Sequence, residues 1–230
     1  MQNLPKASVY DQEAKYMPWG LLVKEVVERL SDELPQGAQV VDLMCGTGGL
    51  LSFLHARRPD LSCLGVDLDY GFIRFAKKNY KGIGFLNMDV FLFQGRGEYD
   101  AVLCTGGLHH VPWGRQDQLI EKFRSLVLPT GFALVADPYI ADYKNERERM
   151  EAAAVLGHEY FLATLRNGAP EEVLEATLKL IPNDVFGVEF KTTLGLIRPK
   201  FRKHFSQIEC CRTWPQSYSR YGDHYFICRP

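Results

Sequence analysis

The stretch VVDLMCGTGG, Val40 to Gly49, ends an apolar run in an acid and follows it with a small-residue loop carrying three glycines. Glycine lets backbone amides come within van der Waals reach of a ligand and tolerates dihedrals that other residues resist. Such a loop suits a nucleotide phosphate, a dinucleotide or another adenosine-containing cofactor. A phosphate loop needs a Lys-Ser or Lys-Thr pair after its last glycine. Here Leu50, Leu51 and Ser52 follow, and no further lysine comes before Lys77. A dinucleotide fits less well, because the third glycine of that fingerprint falls at Leu51, where a side chain hinders close helix–strand packing. In GVDLDYGF, Asp67 lies 25 positions after Asp42, where a carboxylate accepts from both ribose hydroxyls of an adenosine. In NMDV, Asp89 is placed to accept from an adenine amino group. A single aspartate after a strand is ordinarily a cap or turn residue; three at successive strand ends, with a glycine loop at the first, point to a ligand.

The elements that must position these residues alternate. Residues 1–36 make an N-terminal helical segment. Its stripe over residues 12–34, through Trp19, Leu22, Val23, Val26, Val27, Leu30 and Leu34, has the three-to-four spacing of one buried face and stops at Pro35-Gln36-Gly37. Gln39–Leu43 reads as a strand, Gly49–Arg57 as a helix, Ser62–Asp67 as a strand, and Asp69 is placed to cap a helix through Asn79. Ile83–Asn87 and Tyr99–Cys104 read as strands, Gln116–Val127 as a helix, and Pro129-Thr130-Gly131 as a turn into the strand Phe132–Ala136. This rhythm predicts an α/β fold, a parallel sheet with helices on both faces, whose ligand sits at the carboxyl ends of the strands near the switch point. After Asp137 the rhythm breaks into helices, Glu146–Arg166 with a stripe through Met150, Ala154, His158, Phe161 and Leu165, and another opened by Pro170. Ser206–Thr213 and Asp223–Arg229 close the chain as a hairpin. The whole, residues 1–230, reads as a single domain with a helical lid, Tyr139–Pro199, inserted after the fifth strand.

VVDLMCGTGG, GVDLDYGF, NMDV, YDAVLCTGGLHHV and LPTGFALVADP, in this order, resemble the motifs of class I S-adenosylmethionine-dependent methyltransferases. The resemblance covers Val40 to Pro138 and implies a Rossmann-like, doubly wound, seven-stranded sheet that is mostly parallel with an antiparallel last strand. It implies S-adenosyl-L-methionine as cofactor and S-adenosyl-L-homocysteine as product. It also implies that the loop Cys45, Gly46, Thr47 and Gly48 passes the methionine part, whose amino group Asp42 orients. Asp67, with Leu68 beside it, would bind the ribose; Asp89 with Val90 would bracket the adenine; Cys104 and Thr105 would lie beside the cofactor. The family usually has glycine or alanine where this chain has Met44.

Methyl transfer from a sulfonium needs alignment of the nucleophile, exclusion of water and, for some acceptors, removal of a proton. The candidate proton acceptors are His109 and His110, at the rim of the expected cofactor site, Asp137, ending the fifth strand, and His158 in the lid. Helix capping and packing are the plainer reading of His109 and His110. Tyr139, Tyr143 and His158 in the lid, with Tyr10 and Tyr16 before the first helix, are the candidate substrate residues, although His158 also reads as a core histidine on the helix's apolar stripe. A small-molecule acceptor leads. The basic cluster Arg198–Lys203 carries the alternative, an RNA or protein acceptor, and a cofactor-binding regulatory module without catalysis is a third reading. At a formal net charge of −1, with 46% hydrophobic and 24% charged residues, the chain has no global positive field to hold nucleic acid or an anionic membrane. No apolar run suggests a membrane span or a signal peptide, which predicts a cytoplasmic protein. The six cysteines lack metal or redox spacing and read as free thiols, so no metal is expected.

Overall fold

The computed structural model describes residues 13–95, 97–217 and 219–230. Tyr10 lies outside the described residues. Seven strands, β1 (Gln39–Leu43), β2 (Ser62–Asp67), β3 (Gly84–Asn87), β4 (Tyr99–Thr105), β5 (Val127–Tyr139), β6 (Gln207–Trp214) and β7 (Gly222–Arg229), form one sheet. Their order is β3-β2-β1-β4-β5-β7-β6, and β7 alone runs antiparallel to its neighbours. The sheet is thus Rossmann-like and doubly wound, as its motifs imply.

Alternation of side chains along each strand feeds two cores. Val40, Leu103 and Leu134 face one layer, packed against α1 (Trp19–Glu33), α2 (Gly49–Arg57) and α3 (Tyr70–Asn79). Val41, Val102 and Val135 face the other, against α4 (Trp113–Leu126) and α7 (Leu194–His204). Burial on both faces is why these strands read as continuous apolar runs. Strand order reverses at β1, whose neighbours are β2 and β4, so the loops after β1 and β4 open side by side.

Local chemistry sets several boundaries. The Asp69 carboxylate accepts from Phe72 N–H and caps α3, and Asn145 does the same for α5 (Glu146–Arg166) through Glu148 N–H. The N-terminal helix is not continuous from residue 12. Helical backbone at 13–16 is broken at 17–18, and Pro18 occupies the cap of α1. The expected turn at Pro129–Gly131 is instead extended backbone inside β5, bulged so that Val127 pairs with Tyr99 and Phe132 with Ala101. A Cβ at Gly131 would sit 2.5 Å from Asp100 O, so glycine lets the strands pass there.

The helical layer after β5 pairs α5 with α6 (Glu171–Val185), and Gly157 brings them together: a Cβ there would stand 2.8 Å from Ile181 Cγ1. The face α5 buries is Arg149, Ala153, Leu156, Gly157, Tyr160 and Thr164, displaced from the stripe read in sequence. The cause is Arg149, whose guanidinium donates to the Asp184 and Val185 carbonyls and to Glu146, turning an arginine inward. His158 is left exposed, which corrects its reading as a core residue. Pro199 falls inside α7, between the helical layer and β6.

Candidate active site

The loop after β1 is shaped by left-handed backbone. Met44, Gly46 and Gly48 have φ of 65°, 56° and 80°. A Cβ on Gly48 would stand 2.6 Å from the Phe85 ring, so the loop folds flat against β3 only because that atom is missing. Met44 tolerates its positive φ with its side chain laid over Gly107, where an added Cβ would meet Met44 Cβ at 2.9 Å. It packs on the second core and lines the cavity described below.

Asp67 receives two backbone donors, Gly46 N–H and Asp69 N–H, each at 2.8 Å. Burial raises its pKa, and the two amides pull the other way. Asp42, at the end of β1, is 1% exposed, and neither of its oxygens has a hydrogen-bond partner among the described residues. Burial, helped by the negative Asp67, pushes it up to about 8. A buried carboxylate without partners costs free energy that an incoming donor or cation recovers.

One cavity of about 200 Å³ begins at this loop, touching Met44, Cys45 and Thr47, and runs under α5 and α6 to Tyr160 and Leu180. Its far wall is polar. His109 and His110 form a 3₁₀ turn after β4, their rings 4.1 Å apart. His109 Nδ1 lies 2.9 Å from Asp137 Oδ1, and His110 Nδ1 lies 2.6 Å from Glu189 Oε2. Burial pushes Asp137 up to about 8 and holds His109 well below its usual value. Burial alone would raise Glu189, but its His110 hydrogen bond and the nearby positive groups bring it below the ordinary value.

Glu189 is fixed by its neighbours. The Phe190 N–H donates to the His109 carbonyl at 2.6 Å. The fully buried Gln116 of α4 donates to Val111 O at 3.2 Å and Phe190 O at 3.0 Å, clasping the histidine turn to the segment before α7. Trp113 Nε1–H donates to Lys191 O at 3.1 Å, and the Lys191 ammonium is paired with Asp184. Sequence reading missed Glu189, Lys191 and Asp184. The segment around Glu189 has no periodicity and no motif, so only its tertiary partners give it meaning.

The other residues singled out in sequence sort by position. Thr105 lines the cavity, whereas Cys104 is fully buried behind it. Leu68 is 71% exposed after β2. Asp89 Oδ1 accepts from Phe91 N–H at 2.8 Å, and Val90 is buried in the second core. Tyr139 is fully buried, edge-on to His224 and Phe226, and so belongs to the core rather than to the cavity wall. Tyr143 packs on the core beneath α5, Tyr16 gives its carbonyl to Asn167, and neither these nor His158 line the cavity. In the basic cluster Phe201 and Phe205 are buried, leaving no aromatic face for bases to stack on. No helix among the described residues is long and apolar enough to cross a membrane.

Residues 40–131 match a family described as "Methyltransferase domain". A carboxy-S-adenosyl-L-methionine synthase from Campylobacter hominis is 27% identical over 127 residues, 54% of each chain. A ubiquinone biosynthesis O-methyltransferase from Shewanella halifaxensis is 26% identical over 70% of this chain and 71% of its own. The chain spans about half the length of the first curated relatives it matches. In fold it is similar to magnesium protoporphyrin IX methyltransferase from Synechocystis PCC 6803, solved with bound S-adenosylhomocysteine. That likeness has a TM-score of 0.60 at 20% identity, over 93% of this chain and 84% of the other.

Proposed function

We infer the function from one premise: residues 40–131 of this chain belong to the class I S-adenosylmethionine-dependent methyltransferase family. The protein uses S-adenosylmethionine to methylate a small-molecule acceptor and releases S-adenosylhomocysteine. The observation that carries this reading is a cavity that joins a backbone-built loop at one end to a side-chain cluster at the other, under two helices.

The residues at the first end fit the cofactor. Asp42 offers two unpartnered carboxylate oxygens to a cationic amine, and Asp67 retains lone pairs for a ribose diol after its two amide bonds. Gly46 and Gly48 carry the positive φ that turns the loop, and Gly48 lets it lie against Phe85. When bound, S-adenosylmethionine supplies a methyl group already activated for in-line displacement. The chain's own part is alignment and exclusion of water. Met44 and Thr47 wall the cavity on the loop side, and Tyr160 and Leu180 cover it from α5 and α6. At the acceptor end the chain presents His109, His110 and Glu189, with the Lys191 ammonium paired with Asp184. A cavity of this size, roofed by helices, suits a small molecule better than a polymer.

The test is transfer of labelled methyl from S-adenosylmethionine into a host extract split into small-molecule, RNA and protein fractions. Label is expected in the small-molecule fraction. Label in RNA or protein would overturn the acceptor class, and binding without any transfer in extract would favour a regulatory module.

A further inference from the structure

We propose that His109, His110 and Glu189 form a binding site for a divalent transition-metal ion at the acceptor end of the cavity. The proposal rests on the reading that an acceptor enters this cavity, and it revises the expectation of no metal, which considered only cysteine spacing.

The three side chains offer one ligand atom each, and these atoms all lie within 4.8 Å of one another. Glu189 Oε2 stands 2.6 Å from His110 Nδ1 and 3.8 Å from His109 Nε2. Around an ion with ligand bonds of about 2.1 Å, neighbouring ligand atoms are separated by roughly 3.0–3.4 Å. The two Glu189 separations straddle that range and the two imidazole nitrogens lie within 4.8 Å of each other, so side-chain shifts of about 1 Å would close the shell. Two imidazoles and a carboxylate suit zinc, iron, cobalt or nickel better than magnesium or calcium, which favour all-oxygen shells.

The surroundings are those of a ligand set rather than of a chance contact. Asp137 engages Nδ1 of His109 at 2.9 Å, which orients the ring and turns Nε2 toward Glu189. A carboxylate behind a ligating histidine is the usual support of such sites. Glu189 is 4% exposed, and its main chain is anchored beside it, because Phe190 is tied to the His109 carbonyl and to Gln116. The Lys191 ammonium is held on Asp184. Three protein ligands leave open positions, and His109, His110 and Glu189 all border the cavity. An oxygen of the acceptor, from a hydroxyl or carboxylate, is the ligand those positions would take. This narrows the acceptor class to molecules that can coordinate through oxygen.

The test is calorimetric titration of the full chain with ZnCl₂, after dialysis against EDTA and then against metal-free buffer. One Zn²⁺ per chain is expected. Glu189→Gln and His109→Ala should each weaken binding at least tenfold, and Asp137→Asn by about 10–100-fold. Glu175→Gln, at an exposed acid on α6, should leave it unchanged. Thermal melting of each variant separates loss of ligand from loss of fold. Co²⁺ substitution should give visible d–d bands without the near-ultraviolet thiolate bands that cysteine ligation would add. No binding, thiolate bands, or a stoichiometry and affinity untouched by Glu189→Gln would overturn the site and leave a plain His110–Glu189 hydrogen bond. S-adenosylmethionine affinity measured on the same samples reads the other half of the cavity. Cofactor binding without zinc binding sinks only the metal site, and zinc binding without cofactor binding sinks only the methyltransferase reading.

Discussion

At the loop end of the cavity, backbone and glycine do the shaping: two glycines and Met44 with positive φ, two amides donated to Asp67, and Asp42 at a strand's end. At the histidine end the shaping is done by side chains. His109, His110, Asp137 and Glu189 arrive from a 3₁₀ turn, a strand and a segment 79 positions away, and Gln116 clasps them together. The two ends differ in what they can lose. A backbone-built end fails when an atom is added, and a side-chain-built end fails when one is taken away.

That contrast can be broken in order of expected effect. Gly48→Val adds atoms 2.6 Å from the Phe85 ring at a φ of 80°. S-adenosylmethionine affinity by calorimetry should fall at least ~100-fold, with a loss of about 2–4 kcal/mol of stability. Binding within a few fold of the parent would show that the loop's backbone is not what shapes that end. Next, Asp137→Asn should cut turnover on the identified acceptor by about 30-fold while leaving cofactor affinity within about twofold. Equal losses in both would mean that the two ends are one unit. Asp67→Ala should reverse the pattern, costing roughly 1–3 kcal/mol of cofactor binding in a folded protein, since it removes a charged acceptor. Unchanged affinity would remove Asp67 from the cofactor site.

The smallest expected effect sharpens the comparison most, because it concerns stability. Burial and the negative Asp67 push Asp42 up to about 8 in the folded chain, well above the ordinary carboxylate range. Between those values the folded state holds more protons than the unfolded one, so this residue's contribution to stability falls as pH rises. Asp42→Asn should therefore weaken cofactor binding yet raise Tm by about 2–4 °C at pH 8, for a gain of about 1 kcal/mol after relaxation of the site. The gain should shrink toward pH 5. A Tm that falls at pH 8 would mean that the carboxylate has a partner in the folded chain.

The same division explains what sequence could reveal. The boundaries of α2, β2 and α3, and the cap at Asp69, were legible because each follows from residues adjacent in the chain. So was the loop end, where three strand-end acids and a glycine run fall within fifty positions. Legibility failed where a distant partner decided the outcome. The buried face of α5 turned on Arg149 finding two carbonyls in the last turn of α6. Tyr139 went to the core because Phe226 and His224 of β7 enclose it. Glu189 carries no local signal, and only its seat between His110 and the Gln116 clasp makes it noticeable.

The 79-position reach from His110 to Glu189 also sets a sequence of events in time. Gly46 and Asp67 lie 21 positions apart and can meet as soon as the first strands and helices have formed. The histidine turn cannot meet its carboxylate until α5 and α6 have docked, and long closures of that kind come late in folding. A chain halted partway would therefore hold a finished loop end and no acceptor end.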